Sequence, residues 1–363
     1  MKNEAISERQ ATILIILFII GTSFLNGSGI QAKQDAWIAI VIAISWSIIL
    51  LLMFCRTLSL YPGKDLFDIL QIIMGKWIGK IISILMILFV FHDGALILRS
   101  MSEFTNILIF SDTPAIVPMF FFIILIIWSL KAGIEVLGKW SEFFIWIVFI
   151  IFLTIFVLCL SQMNISRLKP ILNNGVSPLL KGAFSSFSYP FGETVVFTMV
   201  FSNISKVKSY KKIFIVGLLI GGGLIFFATL GNILILGSNT ISRVYFPTPM
   251  VTTLINLGDF LQRLELTVVI QFLVCVFVKI NICTFAVCNG ISKIFEFDDY
   301  KFIATPVALL MLAFSFFVYK STIEMSSWTV DIWPYYSFCF EVIIPLVIYI
   351  LAEFKNKNSK ITA

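Results

Sequence analysis

The sequence predicts an all-α polytopic membrane protein with ten transmembrane helices in two halves of five. Three observations carry that expectation. Of its 363 residues, 59% are hydrophobic and only 13% charged, with mean hydropathy +1.02. Apolar runs of about 18 or more residues recur along the chain, as bilayer-crossing helices require. The first and sixth runs are each interrupted by residues that do not suit a continuous helix. A membrane β-barrel would show short alternating segments instead.

The ten segments fall at roughly 11–30, 36–55, 77–99, 114–131, 142–162, 181–201, 212–236, 263–291, 302–319 and 333–353. They form a single integral membrane domain: residues 1–162 hold the first five helices, 163–353 the second five, and 354–363 a polar tail. MKNEAISERQAT leads into the first run with no small-residue cleavage site after it, so that run reads as a retained helix. With the amino terminus inside, 17 Lys and Arg fall in inside regions and 8 outside, leaving Lys279 within a span. That asymmetry puts both termini in the cytoplasm. It also accounts for the net charge of +6 without nucleic acid as a partner. Between spans seven and eight, MVTTLINLGDFL reads either as a short helix over the outer mouth or as an amphipathic loop packed on the bundle.

The first interruption is GTSFLNGSG, with Gly21, Thr22, Ser23, Asn26, Gly27, Ser28 and Gly29 at membrane depth. Glycine costs a helix about 1 kcal/mol relative to alanine, and unpaired backbone in hydrocarbon costs several more. The second is SSFSYPFGE, with Ser185, Ser188, Tyr189, Pro190, Phe191, Gly192 and Glu193. Proline removes a backbone donor and clashes with the preceding turn. The two lie at matching positions, in the first helix of each half. Inverted-repeat transporters build a midplane site from such pairs: half-helix N-termini favour an anionic group, and unwound carbonyls face a cation. A zwitterion such as an amino acid suits both. Each break alone also reads as a kink or a small-residue packing face.

Ionisable residues at depth are functional candidates by default. His92 reads as a pocket wall, a proton carrier or a satisfied polar group; Asp93 follows it. Arg99 and Glu103 stand i, i+4 and read as a structural ion pair. Glu193 reads equally as a proton acceptor, a cation partner or a helix cap. Lys279, far from either end of its span, reads as a structural cation facing the bundle, with proton coupling as the alternative. Asn281, Thr284 and Cys288 make a separate polar stripe, with the Thr284 hydroxyl bonding its own helix as the plain reading. Glu341, four residues before Pro345, has no assigned role. The six cysteines form no CxxC pair and one histidine makes no metal site, so neither metal nor cofactor is expected. No catalytic constellation is present, which argues against an enzyme.

In order along the chain, the motifs ISERQ (Ile6–Gln10), DAW (Asp35–Trp37), PGKDLFDILQIIMGKWIGK, LRSMSEF (Leu98–Phe104), TP (Thr113–Pro114), KAGIEVLGKWSE (Lys131–Glu142), RLKPIL (Arg167–Leu172), YPFGE, FPTPMV and FLQRLE resemble the B subunits of nutrient germinant receptors of bacterial spores. Those belong to the amino acid–polyamine–organocation transporter superfamily. The resemblance implies a leucine-transporter-like fold with helices 1 and 6 broken, a small germinant, usually an amino acid, and a complex with A and C subunits in the spore inner membrane. It places the ligand at Gly21–Gly29 and Ser185–Glu193, walled by the face of His92 and by Asn281–Thr284. A proton-coupled amino acid permease is the competing expectation, and a triggered pore element a third.

Overall fold

A computed structural model of the chain describes residues 5–23, 27–204, 209–254 and 264–361. It is all-helical. Helix α1 (Glu8–Ile20) starts at a capping box, with Ser7 accepting from the Gln10 N–H and Gln10 reaching back, so two orphan amides are satisfied. It is followed by α2 (Ala36–Leu60), α3 (Leu66–Met74), α4 (Lys76–Leu108), α5 (Ile116–Ala132), α6 (Ile134–Cys159) and α7 (Val176–Ser186). Then come α8 (Tyr210–Leu236), α9 (Pro247–Thr253), α10 (Glu265–Phe295), α11 (Lys301–Ser315) and α12 (Thr322–Lys357), the last with π-helical turns at Trp328–Ile332 and Cys339–Ile343.

Among the described residues six helical stretches are long and apolar enough to cross a membrane, and α5 and α11 are shorter apolar helices. The outside of the molecule is apolar. Helix α6 exposes Phe143, Trp146, Ile150, Leu153 and Val157, a stripe at helical spacing that in water would be a large hydrophobic liability. Such a surface belongs to a multi-pass membrane protein. The inside holds the polar groups.

Several helices run past the apolar segments expected for them. Helix α4 continues to Leu108, because Arg99 pairs with Glu103 at 2.7 Å and keeps its polar last turns helical. The last helix starts at Thr322, where Ser321 accepts the Glu324 N–H, and helical structure continues through Ile361, taking in most of the expected tail. Of the segment MVTTLINLGDFL, read as a mouth helix or a packed loop, residues 250–253 end a short helix, Pro247–Thr253, and residues 255–261 lie outside the described residues.

Two departures from regular α-helix lie at the expected interruptions. Helix α1 stops at Ile20. Beyond it Gly27 and Gly29 take φ +67° and +71°, the left-handed region that favours glycine. A 3-10 stretch, Ile30–Asp35, then leads into α2. Helix α7 stops at Ser186, passes through a π-type turn with Tyr189 extended at φ −125°, ψ 109°, and resumes as 3-10 over Gly192–Met199.

Helix α1 is buried over Ile13–Ile20 and packs along α8. A Cβ on Gly217 would stand 2.5 Å from Ile15 Cγ2, and one on Gly221 2.9 Å from Ile19 Cγ2, so glycine sets the approach of the two helices. At the end of α1 that carries the amino terminus, the preceding segment is fastened to three others. The Ala5 N–H donates to Glu135 Oε1 at 2.8 Å, Ile6 bridges to Ile204, and the Ser209 N–H donates to Glu8 Oε1 at 3.1 Å. Asp65 at the start of α3 meets Lys293 Nζ at 2.6 Å and accepts from Asn289 Nδ2 at 2.9 Å, and Asn289 also donates to the Met199 carbonyl. Burial pushes the Asp65 carboxyl above its usual range, against the pull of Lys293.

Replacing Gly217 with valine should destabilise the protein by roughly 1–3 kcal/mol through overpacking. The same change at Gly223, where a Cβ meets nothing within 4 Å, should be nearly neutral. Thermal unfolding of the two variants side by side in detergent checks this.

Candidate functional site

The polar interior centres on Lys279. Helix α10 holds it at the middle of the bundle with no side-chain exposure, and its Nζ meets Glu193 Oε2 at 2.5 Å, where Glu193 is also buried. The stem of Lys279 runs past the end of α1: a Cβ on Gly21 would lie 2.8 Å from Lys279 Cδ. Its ammonium sits 5.0 Å from the centroid of Phe18 and 4.9 Å from that of Tyr189, within cation–π range. The Tyr189 hydroxyl donates to Thr22 Oγ1. One lysine therefore touches both irregular segments, through Phe18 and Gly21 on one side and Tyr189 and Glu193 on the other.

Two more carboxyl groups stand close by. Asp93 of α4 accepts from Cys283 Sγ at 3.6 Å and lies in the field of Lys279 and Glu193. Glu341 of α12 accepts from Ser337 Oγ at 3.2 Å, and its carboxyl presses on Gly192 so closely that a Cβ there would overlap it. Asp93, Glu193 and Glu341 are 5%, 2% and 0% exposed. Asp93 and Glu193 share a side-chain hydrogen bond, which two carboxyl groups make only with a proton between them.

Two cavities meet here. One of about 380 Å³ is bordered by Gly27, Ser28, Gly29, Ser185, Tyr189 and Arg243. A smaller one of about 30 Å³ is bordered by Thr22, Asp93, Glu193, Tyr319, Trp328 and Trp333. Tyr189 and Thr329 line both, so the Tyr189 ring stands between them.

The structure thus gathers Gly21, Thr22, Tyr189, Gly192, Glu193 and Lys279 at one point, and Gly27, Ser28, Gly29 and Ser185 around the larger cavity. Ser23 is buried and lines neither; Asn26 lies outside the described residues. Ser188 donates to the Pro334 carbonyl at 3.2 Å, while Pro190 and Phe191 are buried packing. His92 is apart from the cluster: its Nδ1 is 3.3 Å from the Tyr336 hydroxyl and its ring packs edge-on against Phe314, Trp328 and Tyr336. Asn281 and Thr284 donate to the carbonyls of Phe277 and Ile280 on their own helix, each at 2.8 Å, the plain alternative for Thr284. Sequence reasoning assigned no role to Asp93, and it passed over Tyr319, Trp328 and Trp333. Their signal was available only for Asp93, a lone acid within an apolar run.

The family model described as spore germination protein matches residues 5–323. The chain belongs to this spore permease family. Relatives span its whole length: spore germination protein KB of Bacillus subtilis is 28% identical over 99% of this chain and 97% of its own. Spore germination protein A2 of the same organism is 22% identical over 89% and 87%. The solved structure of Mhp1, a nucleobase-cation-symport-1 family transporter in a closed conformation with bromovinylhydantoin bound, superposes with TM-score 0.64 at 13% identity, covering 89% of this chain and 74% of Mhp1. The likeness to Mhp1 shows a shared fold, and family membership sets this chain among membrane proteins rather than enzymes.

Replacing Lys279 with methionine should cost about 3–5 kcal/mol, since it strands Glu193 as an unpaired buried charge. Combining K279M with E193Q should recover most of that loss. A double-mutant cycle of unfolding free energies measures the coupling.

Proposed function

We propose that this chain is the nutrient-sensing subunit of a spore germination receptor. It binds a small molecule, by this reading an amino acid, at the paired interruptions and signals to A and C partner subunits in the spore inner membrane. The chain then has ten spans in a five-plus-five inverted repeat, residues 1–162 and 163–353, with a leucine-transporter-like arrangement and both termini cytoplasmic. Helices 1 and 6 are broken at Gly21–Gly29 and Ser185–Glu193. The observation that most supports this is the contact of one lysine with both irregular segments. A ligand seated there necessarily reads the spacing of the two halves. It can shift their equilibrium only by binding one arrangement better than another. His92, Asn281 and Thr284 then serve the pocket walls rather than its floor. A proton-coupled permease is the second reading, favoured by the surplus carboxyl groups Asp93 and Glu341 beside the pair.

Spores lacking this gene, exposed singly to amino acids, sugars and nucleosides, should lose dipicolinic acid release to one nutrient and regain it on complementation. Unchanged release in a strain also lacking parallel receptors, with lost radiolabelled uptake, would favour the permease. In the complemented strain, Gly192→Leu should abolish the response while the protein still inserts, because its side chain collides with Glu341. Gly27→Leu should weaken it through its positive φ. A normal dose–response in both would overturn the pocket.

A further inference from the structure

On the outer face, α5, α6 and α10 leave a groove of about 350 Å³, a volume within the range of ligand pockets. Phe122, Leu125 and Trp128 line it from α5, and Leu137 and Trp140 from α6. Phe277 of α10 makes the floor, edge-on to Phe122 and to Phe144 at 6.1 and 6.2 Å between centroids. Apart from Ser129, every lining side chain is aliphatic or aromatic, so a polar solute finds no partner there. Leu125, Trp128 and Trp140 are exposed. The groove therefore opens outward, where the apolar exterior meets lipid, and its occupant comes from the bilayer. One end of it is marked by charge. Helices α5 and α6 join at Gly133, and Trp128 and Trp140 stand within about 10 Å of that turn along their helices. Tryptophan at a helix end marks the boundary between hydrocarbon and head groups. Lys131 stands one turn beyond Trp128 and Lys139 one turn beyond Val136, so each shares the face of a groove residue. Both lysines are exposed, and among the described residues neither joins an ion pair. The neighbouring acids are engaged elsewhere: Glu135 accepts from the Ala5 N–H at 2.8 Å, and Glu142 lies 4.0 Å from Arg9.

The geometry points to a binding site for one anionic phospholipid, with an acyl chain in the groove and its phosphate at Lys131 and Lys139. Charge decides the class of lipid. A zwitterionic lipid brings its own cation to the two lysines and gains less from them. The inference is independent of what binds at the interruptions, but the site touches their centre. The groove floor, Phe277, lies two residues from Lys279, and Asn281 donates to the Phe277 carbonyl at 2.8 Å. A lipid seated there braces the helix that carries the central ion pair.

The test is native mass spectrometry and thermal unfolding of the purified full-length protein in mild detergent, with dioleoyl phosphatidylglycerol or dioleoyl phosphatidylcholine added. One phosphatidylglycerol should be retained per chain, and it should raise the unfolding temperature more than phosphatidylcholine does. Combining K131Q with K139Q should lower that preference by about thirtyfold, the effect of two lysines at an anionic lipid surface. V136F, which fills the groove, should lose the retained lipid; V274F takes its place if V136F does not insert. Equal retention of the two lipids, an unchanged preference in the lysine variant, or unchanged retention with the groove filled would overturn the site and leave annular lipid only. Retention of no lipid above the detergent background would also overturn it, leaving the groove to another protein chain.

Discussion

The Lys279–Glu193 ion pair is the interaction on which the rest of the interior is arranged. Removing two charges from water costs several kcal/mol each, and close pairing repays this only with good geometry and further partners. The protein supplies the geometry at the ends of helices. Gly21 lets the lysine stem pass where any side chain would collide. Phe18 and Tyr189 add ring faces to the ammonium. Such a pair is weak evidence of stability and better evidence of specification: it fixes the relation of α1, α10 and the segment after α7, which the sequence separates widely.

Around that centre the usual order of a protein is inverted. Aromatic and aliphatic side chains such as Trp77, Phe121 and Phe317 face outward, where bilayer rather than water receives them. Polar groups inside cannot turn to solvent, so they are paired, bonded to their own helix, or gathered at the cavities. Helix hydroxyls take the second course: Ser47, Ser83, Thr105 and Thr284 each donate to a carbonyl one turn back. The Lys279 cluster and the cavity walls are where polar groups from different elements meet.

Much of this was legible in the sequence because it is local. Apolar runs, Pro190 and the glycine-rich stretch from Gly21 to Gly29 declare helices and their irregularities without knowledge of neighbours. Lys279 and Glu193 each stood out as charges at depth, but their partnership spans 86 residues and no spacing rule reaches that far. His92 drew attention as the lone histidine, yet the adjacent Asp93 faces the cluster, since one residue turns a helix face by about 100°. Trp328 and Trp333 resemble interfacial aromatics in the sequence. Only the packing of α12 against α4 turns them inward. Glu341 had no readable role until Gly192 was seen beneath its carboxyl.

Helix α1 joins two of these features. Its thirteen residues make a rod of about 20 Å, buried and stiffened against α8. At one end is Gly21 beside the lysine; at the other are Ala5, Ile6 and Glu8, fastened to Glu135, Ile204 and Ser209. A rod so held acts as a lever. Tilting it by about 5° about the Gly21 end carries the far end through roughly 1.7 Å. Hydrogen bonds of 2.8 and 3.1 Å do not survive that displacement. A tilt of that size would part Ala5 from Glu135 and Glu8 from Ser209, so the two ends of α1 are mechanically linked.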